Sequence, residues 1–211
     1  MAKQKILSNY FTSVSIISNN YYKYLFKKYI KTESKILDFG CGSGEFLDLI
    51  NCKIKIGVEK NKYSQKKLKK KRILYFDKLE KINPNIKFDL IFALSVLDHV
   101  DDPTNVLRKL KNKLSKNGKI IIIIRNDSRG QNLNNSGYKI HLFSWSRLSF
   151  NNLLNFCGLK SEQEGILKFT IPPGFKYLSK IFSNHTLYFL SKIFFYINFK
   201  DIRFYFICKK K

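Results

Sequence analysis

The period of the apolar positions changes repeatedly along the chain, and each change marks an element. From Val14 to Ile30 apolar residues recur every three to four positions, the spacing of an amphipathic helix. Lys35–Phe39 is then a short apolar run that ends in a glycine turn, which predicts a buried strand. Glu45–Ile50 reads as helix, Lys53–Glu59 alternates as a strand, and Lys62–Lys71 is a charged helix. Ile73–Phe76 and Phe88–Leu94 are further strands, the second apolar almost throughout. Asp102-Pro103 opens a helix, since proline at an early helical position gives up an N–H that has no partner there. That helix is expected to reach Ser115 and stop at Asn117-Gly118, ahead of the strand Lys119–Ile124. Ser144–Phe156 is a last regular helix, stopped by Gly158, and strands are expected around Gly165–Phe169 and Arg203–Cys208.

Strand and helix alternating in this way predict right-handed crossovers and an α/β fold with a doubly wound, mostly parallel sheet. FDLIFAL and IIIII suit central strands covered on both faces. With no internal repeat and no low-complexity linker, the chain divides into a helical cap, residues 1–34, and one domain, residues 35–211. An insert over residues 171–199 separates the last two strands of that domain.

Composition alters this picture little. Forty Lys+Arg against fifteen Asp+Glu give a formal charge of +25, the balance expected of a protein that meets nucleic acid or anionic membrane. Yet 34 of those cations are lysine and six arginine, in a chain with 25 Ile, 19 Asn and two Ala. Lys, Ile and Asn have AT-rich codons, so coding bias supplies such charge without a polyanionic partner, and phosphate-recognition surfaces favour arginine. Residues 60–72 carry eight basic and no acidic side chains, read first as a solvated helix face. Cys41, Cys52, Cys157 and Cys208 form no C-x-x-C pair, so a structural zinc site is not expected. No apolar run is long enough to span a bilayer and no leader-like segment is seen, so a reduced, cytoplasmic protein is expected. Residues 175–199 add one qualification. Apolar residues there follow helical spacing with lysines among them, a pattern suited to peripheral contact at the inner face of a membrane, to a lid, or to a dimer face.

The chemistry concentrates in Asp38-Phe39-Gly40-Cys41-Gly42-Ser43-Gly44-Glu45. Its spacing is G-x-G-x-G, with Glu45 where a dinucleotide fingerprint wants a third glycine, and a carboxylate at a helix start repels pyrophosphate. No Gly-Lys-Ser/Thr follows, which excludes a P-loop. Asp38 stands where a carboxylate can receive an ammonium group. Glu59 ends the second strand, where an acidic side chain accepts hydrogen bonds from ribose hydroxyls. A nucleoside plus an amino acid, without phosphates, describes S-adenosylmethionine.

From about Lys35 to Leu159 the chain resembles the class I S-adenosylmethionine-dependent methyltransferases, in particular the ubiquinone-biosynthesis-type and related small-molecule enzymes. DFGCGSGEF matches the family's first motif and GVEKN the acidic end of its second strand. FDLIFALSVLDHVDDPTNVLRKLKNKLSKNGKIIIIIRN and HLFSWSRLSFNNLLNFCGLK follow in the family's order. The resemblance implies a Rossmann-like sheet of seven strands with an antiparallel last strand. It places Asp38, Gly40, Cys41, Gly42 and Gly44 around the methionine part of the cofactor, Cys41 mainly as packing, and Glu59 on the ribose. Asp77 falls near the adenine amino group, and Leu94 and Ser95 near the sulfonium.

An oxygen acceptor needs a base, because its proton leaves as the new bond forms. His99, after the fourth strand, and His141, after the fifth, are the candidates. Some quinone O-methyltransferases carry Glu-x-x-Glu-His at the first of these places and hold a divalent metal with it. Here Ser95 and Asp98 replace the two glutamates, and no metal is assigned. The expected activity is methyl transfer to a small-molecule or lipid- or sugar-linked acceptor, O-methylation ahead of N-methylation. An RNA methyltransferase using the basic surface and a non-catalytic cofactor-binding or scaffolding subunit stay open as alternatives. No oligomeric state is assigned.

Overall fold

The computed structural model describes residues 18–126, 142–167 and 202–211, together with Leu178, Ile181, Thr186, residues 189–191, Ile193 and Phe194. Seven strands, β1 (Lys35–Phe39), β2 (Ile54–Val58), β3 (Leu74–Phe76), β4 (Phe88–Leu94), β5 (Leu114–Arg125), β6 (Leu159–Leu167) and β7 (Arg203–Lys210), form one sheet. Their order is β3-β2-β1-β4-β5-β7-β6. β1 through β5 pair in parallel, while β7 runs antiparallel to both β5 and β6. This is the doubly wound sheet with an antiparallel last strand expected from the sequence. Chain order reverses between β1 and β4, and open α/β sheets bind ligands at the carboxyl ends of strands beside such a switch.

Helices cover both faces. On one lie α1 (residues 18–26, continued by a single 3-10 turn, Lys27–Tyr29), α2 (Glu45–Leu49) and α3 (Lys62–Lys70). Tyr21, Tyr22 and Phe26 of α1, Phe46 and Leu47 of α2 and Leu68 of α3 share that core with Ile36, Phe92, Ile121, Ile123 and Ile207 of the sheet. Phe92 meets Phe46 edge-on at 4.6 Å and Phe26 at 6.3 Å. On the other face α4 (Pro103–Lys113) and α5 (Arg147–Phe156) bury Leu107, Leu110, Phe150 and Leu154 against Ile120, Ile122 and Ile124. The run from Ile120 to Ile124 is fully buried because its side chains alternate between these two cores. Each such isoleucine contributes about 1.5–3 kcal/mol.

Element ends differ from expectation at three places. α4 stops at Lys113, and β5 begins directly at Leu114 and passes through Asn117-Gly118 rather than starting after it. Leu114 pairs with Phe88 and Lys119 with Leu90, so Asn117-Gly118 is an irregularity within the ladder, not a helix stop. A Cβ on Gly118 would lie 2.7 Å from the Phe88 carbonyl oxygen, so glycine is what lets the strands meet there. β6 begins at Leu159, immediately after Gly158, and not near Gly165. It is an edge strand whose outward positions are charged: Lys119 and Lys209 both ion-pair with Glu162, and Arg147 lies 3.4 Å from Glu164. Charge on an edge strand discourages pairing with other chains, and it hides the strand from an apolar-period search. α5 opens at Arg147 behind a capping box made by Ser146 and Ser149.

The expected cap is described only from residue 18 onward, where α1 packs its aromatic side on the sheet and Arg203 of β7 donates to the Tyr22 hydroxyl at 2.8 Å. Within the expected insert the described residues, Leu178, Ile181, Thr186, residues 189–191, Ile193 and Phe194, are helical. Ile181, Phe189 and Ile193 are exposed and Ser191 is buried. Among the described residues no helix is long and apolar enough to cross a membrane.

Candidate active site

The glycine turn sits at the carboxyl ends of β1 and β2. The N–H groups of Gly40 and Cys41 both donate to the Val58 carbonyl, at 2.8 and 3.1 Å, which folds the loop back over the end of β2. Gly40 has φ +75°, and a Cβ there would stand 2.3 Å from Val96 Cγ2. Gly44, at the start of α2, is equally enclosed, by Leu68 and Ile73. Gly42 is different: φ is +56° and nothing lies within 4 Å of where its Cβ would be. Gly40 and Gly44 are therefore needed by the fold, whereas Gly42 leaves its backbone open to approach by a ligand.

Three carboxyl groups surround this loop. Asp38, on β1, is 2% exposed, and its carboxyl is pushed up from 3.8 to about 8, by burial first and then by Glu59 and Glu45. Glu59 is half-buried; its Oε2 accepts from Gly42 N at 2.9 Å and its Oε1 from Asn61 N at 2.7 Å. That bond occupies the main-chain amide a phosphate would use, in a field already negative. The occupied amide and the negative field both disfavour pyrophosphate at this loop. The contribution of Glu45 to the Asp38 environment was not foreseen. Its position as a third-glycine substitute was the available signal.

The other expected residues fall as follows. The Cys41 thiol is buried, pushed up by that burial, and its Sγ fills the space a Cβ on Gly57 would need at 2.5 Å, so it packs β1 against β2. Asp77, after β3, is held below the usual carboxylate range by its hydrogen bond from Lys81 at 2.9 Å, and an adenine amino group would have to share it. Leu94 is half-buried on the α1 face, and Ser95 follows it with φ +55°. A left-handed serine costs about 1–2 kcal/mol, and its buried hydroxyl has no hydrogen-bond partner among the described residues. Strain and an orphaned donor beside the switch point mark a place shaped for a ligand.

Past Ser95 a single 3-10 turn, Leu97–His99, presents His99. Its Nε2 lies 3.8 Å from Oδ2 of Asp98, which is 2% exposed while the imidazole is 42% exposed. A buried carboxylate beside a half-exposed imidazole orients the ring. His141 lies outside the described residues. The next residue, Leu142, donates its N–H to the Asp98 carbonyl at 2.8 Å, so the chain after β5 is fastened to the turn that carries His99. Phe143 and Trp145 stack there at 5.4 Å, ahead of α5, although Trp145 was expected inside that helix.

Comparison with known proteins agrees with this geometry. The family described as "Methyltransferase domain" matches residues 18–164. The chain belongs to that family. No curated protein matches the sequence. Among solved structures, a SAM-dependent methyltransferase from Archaeoglobus fulgidus is 20% identical, with 91% of this chain and 94% of that one covered at a TM-score of 0.61. A possible histamine N-methyltransferase from Thermotoga maritima is 19% identical, covering 98% and 92% at 0.61. The plantazolicin methyltransferase BamL, in complex with a triazolic desmethylPZN analog and SAH, is 16% identical, covering 100% and 91% at 0.64. Class I fold, methyltransferase family and S-adenosylmethionine as cofactor are as the sequence led one to expect.

Proposed function

We propose that this methyltransferase acts on a small-molecule or lipid- or sugar-linked acceptor, with an oxygen as the methylated atom. The observation that carries the reading is the pairing of an acidic, phosphate-excluding loop with a His99–Asp98 couple at the same edge of the sheet. S-adenosylmethionine supplies a methyl group already activated by its sulfonium. Asp38 would hold the ammonium of the cofactor's amino-acid part, Gly42 would let that part approach the backbone, and Glu59 would accept from ribose hydroxyls with the lone pairs its two backbone bonds leave. Leu94 and Ser95 would line the reacting end. His99, steadied by Asp98, would take the acceptor's proton, a role worth about 10²–10⁴-fold in rate. Alignment of acceptor and methyl group by the surrounding walls supplies more, up to roughly 7–11 kcal/mol.

Nitrogen acceptors need no base, so His99 is what favours oxygen. The lysines of α3 face solvent, with Lys62, Lys66, Lys69 and Lys70 exposed, and only Ser64 and Leu68 of that helix are buried. A solvated face accounts for them without RNA. The test is calorimetric titration with S-adenosylhomocysteine, followed by methyl transfer to hydroxylated and amine acceptors. Micromolar one-to-one binding is expected, weakened about ten- to hundredfold in Glu59→Ala by loss of a charge-assisted partner. Undiminished binding in that variant, or transfer to amines alone, would overturn the assignment.

A further inference from the structure

The connection between β6 and β7 leaves and rejoins the sheet at one edge. Leu167, the end of β6, pairs with Arg203, the start of β7, and Arg203 pairs with Arg125, the end of β5. Because β5 runs parallel to β4 and β1, this is the carboxyl edge, which also carries the glycine turn and the turn presenting His99. Residues 168–200 differ in composition from the rest of the chain. These 33 residues hold ten of its 32 aromatic side chains and five lysines, with no arginine and no acidic residue. Within them Phe189 and Ile193 lie four apart in helical conformation, so they share a face. They are 63% and 44% exposed, while Ser191, turned the other way between them, is fully buried. Ile181, at 75%, is the most exposed large apolar side chain among the described residues. Lys180 and Lys192 adjoin Ile181 and Ile193 in the sequence.

Large apolar side chains held in water, in a stretch with lysines and no carboxylate, fit a partner that is apolar and negative at once. The surface of an anionic bilayer is both. A second copy would set like charge against like, in a chain of net charge +25. RNA would meet the lysines and leave the isoleucines and phenylalanine in water, and phosphate recognition favours arginine, which this stretch lacks. No described helix is long and apolar enough to cross a membrane, so the contact is peripheral. We propose that Ile181, Phe189 and Ile193 insert into the headgroup region of an anionic membrane, with the lysines of residues 168–200 drawn to its acidic lipids. Docking there holds the carboxyl edge, with its glycine turn and His99, close to the lipid surface, whichever atom is methylated.

Co-sedimentation of the full chain with vesicles of equal phosphatidylglycerol and phosphatidylcholine, against pure phosphatidylcholine, tests this. The wild type should partition onto the anionic vesicles at least about tenfold better than onto the neutral ones, and lose most of that preference in about 0.5 M salt. Ile181→Ser with Phe189→Ser and Ile193→Ser should lower the anionic partition coefficient at least about tenfold. Lys180→Gln with Lys192→Gln should weaken binding to the anionic vesicles only. Leu148→Ser, at a 72% exposed apolar residue on α5, should bind as the wild type does. All these variants should melt with the wild type, since exposed side chains support no core. Absence of anionic preference in the wild type overturns the proposal, as does undiminished binding by the triple serine variant or an equal loss in Leu148→Ser. Self-association without lipid that the triple variant abolishes would assign the face to a second copy and overturn it too.

Discussion

On the proposed seating of the cofactor's ammonium at Asp38, a protonated Asp38 would make cofactor binding a proton-releasing event. The carboxyl is buried between β strands with Glu59 and Glu45 as its charged neighbours, and without a cation it titrates at about 8, against 3.8 for the free group. A carboxyl raised in the folded state stabilises the fold fully below its unfolded value, and that contribution is lost as pH climbs through the folded value. The unliganded protein should therefore become less stable between about pH 4 and pH 8, at up to roughly 1.4 kcal/mol per unit. An ammonium group seated on Asp38 draws the carboxyl back to its charged form. At pH 7 about 0.9 proton should leave on binding, and affinity for S-adenosylhomocysteine should rise about thirtyfold from pH 5.5 to 7.0. Calorimetry in two buffers of different ionisation enthalpy counts the proton directly. Asp38→Asn copies the protonated form: it should keep or raise the melting temperature of the unliganded protein at pH 7.5, bind the ligand ten- to hundredfold more weakly, and lose the pH slope. Flat affinity across that window with no proton released would refute the reasoning, as would an Asn variant that binds normally.

Four further outcomes follow from the geometry. His99→Asn should lower kcat for a hydroxyl acceptor by about 10²–10⁴-fold while leaving S-adenosylhomocysteine affinity unchanged, as separate turnover and titration experiments would show. Gly40→Ala drives a methyl group to 2.3 Å from Val96 and should lower the melting temperature sharply. Gly42→Ala meets no neighbour, carries only the roughly 1–2 kcal/mol strain of its positive φ, and should instead show its main loss in cofactor affinity. The exposed Phe189 and Ile193, with Ile181 before them, should carry any membrane contact, so Phe189→Asp with Ile193→Asp should abolish co-sedimentation with anionic vesicles and spare cofactor binding.

What could be read in the sequence was whatever backbone chemistry imposes locally. The glycine turn was legible because positive φ at Gly40, Gly42 and Gly44 demands that residue type, and Glu59 because strand length sets its distance from the loop. The run Ile120–Ile124 announced a central strand because no other element buries five consecutive isoleucines on two faces. β6 was displaced in the reading because its charged edge positions mask its period, and the start of β5 because Asn117-Gly118 makes the same signature in a bulge as in a helix stop. The bond from Gly42 to Glu59 and the facing of Arg125 with Arg203 depend on register and loop closure between segments far apart in the chain, which no local pattern encodes. That the odd-numbered residues of β5 share a face could be read from the sequence; which residue of β7 would lie opposite could not.

The place of β7 in the sheet also sets an order of assembly. β6 touches the sheet only through β7, which enters between it and β5 although it follows both in sequence. As the chain emerges from the ribosome, β1 to β5 can complete the cofactor half while β6 has nothing to pair with. The arrival of the last strand then fastens β6, ties α1 through Tyr22 and brings Arg203 to Arg125, so this half of the sheet is finished last. A nascent chain would hold its glycine loop before the far edge of its sheet existed, and trimming β7 would unpair β6 and release α1 from the sheet in a single cut.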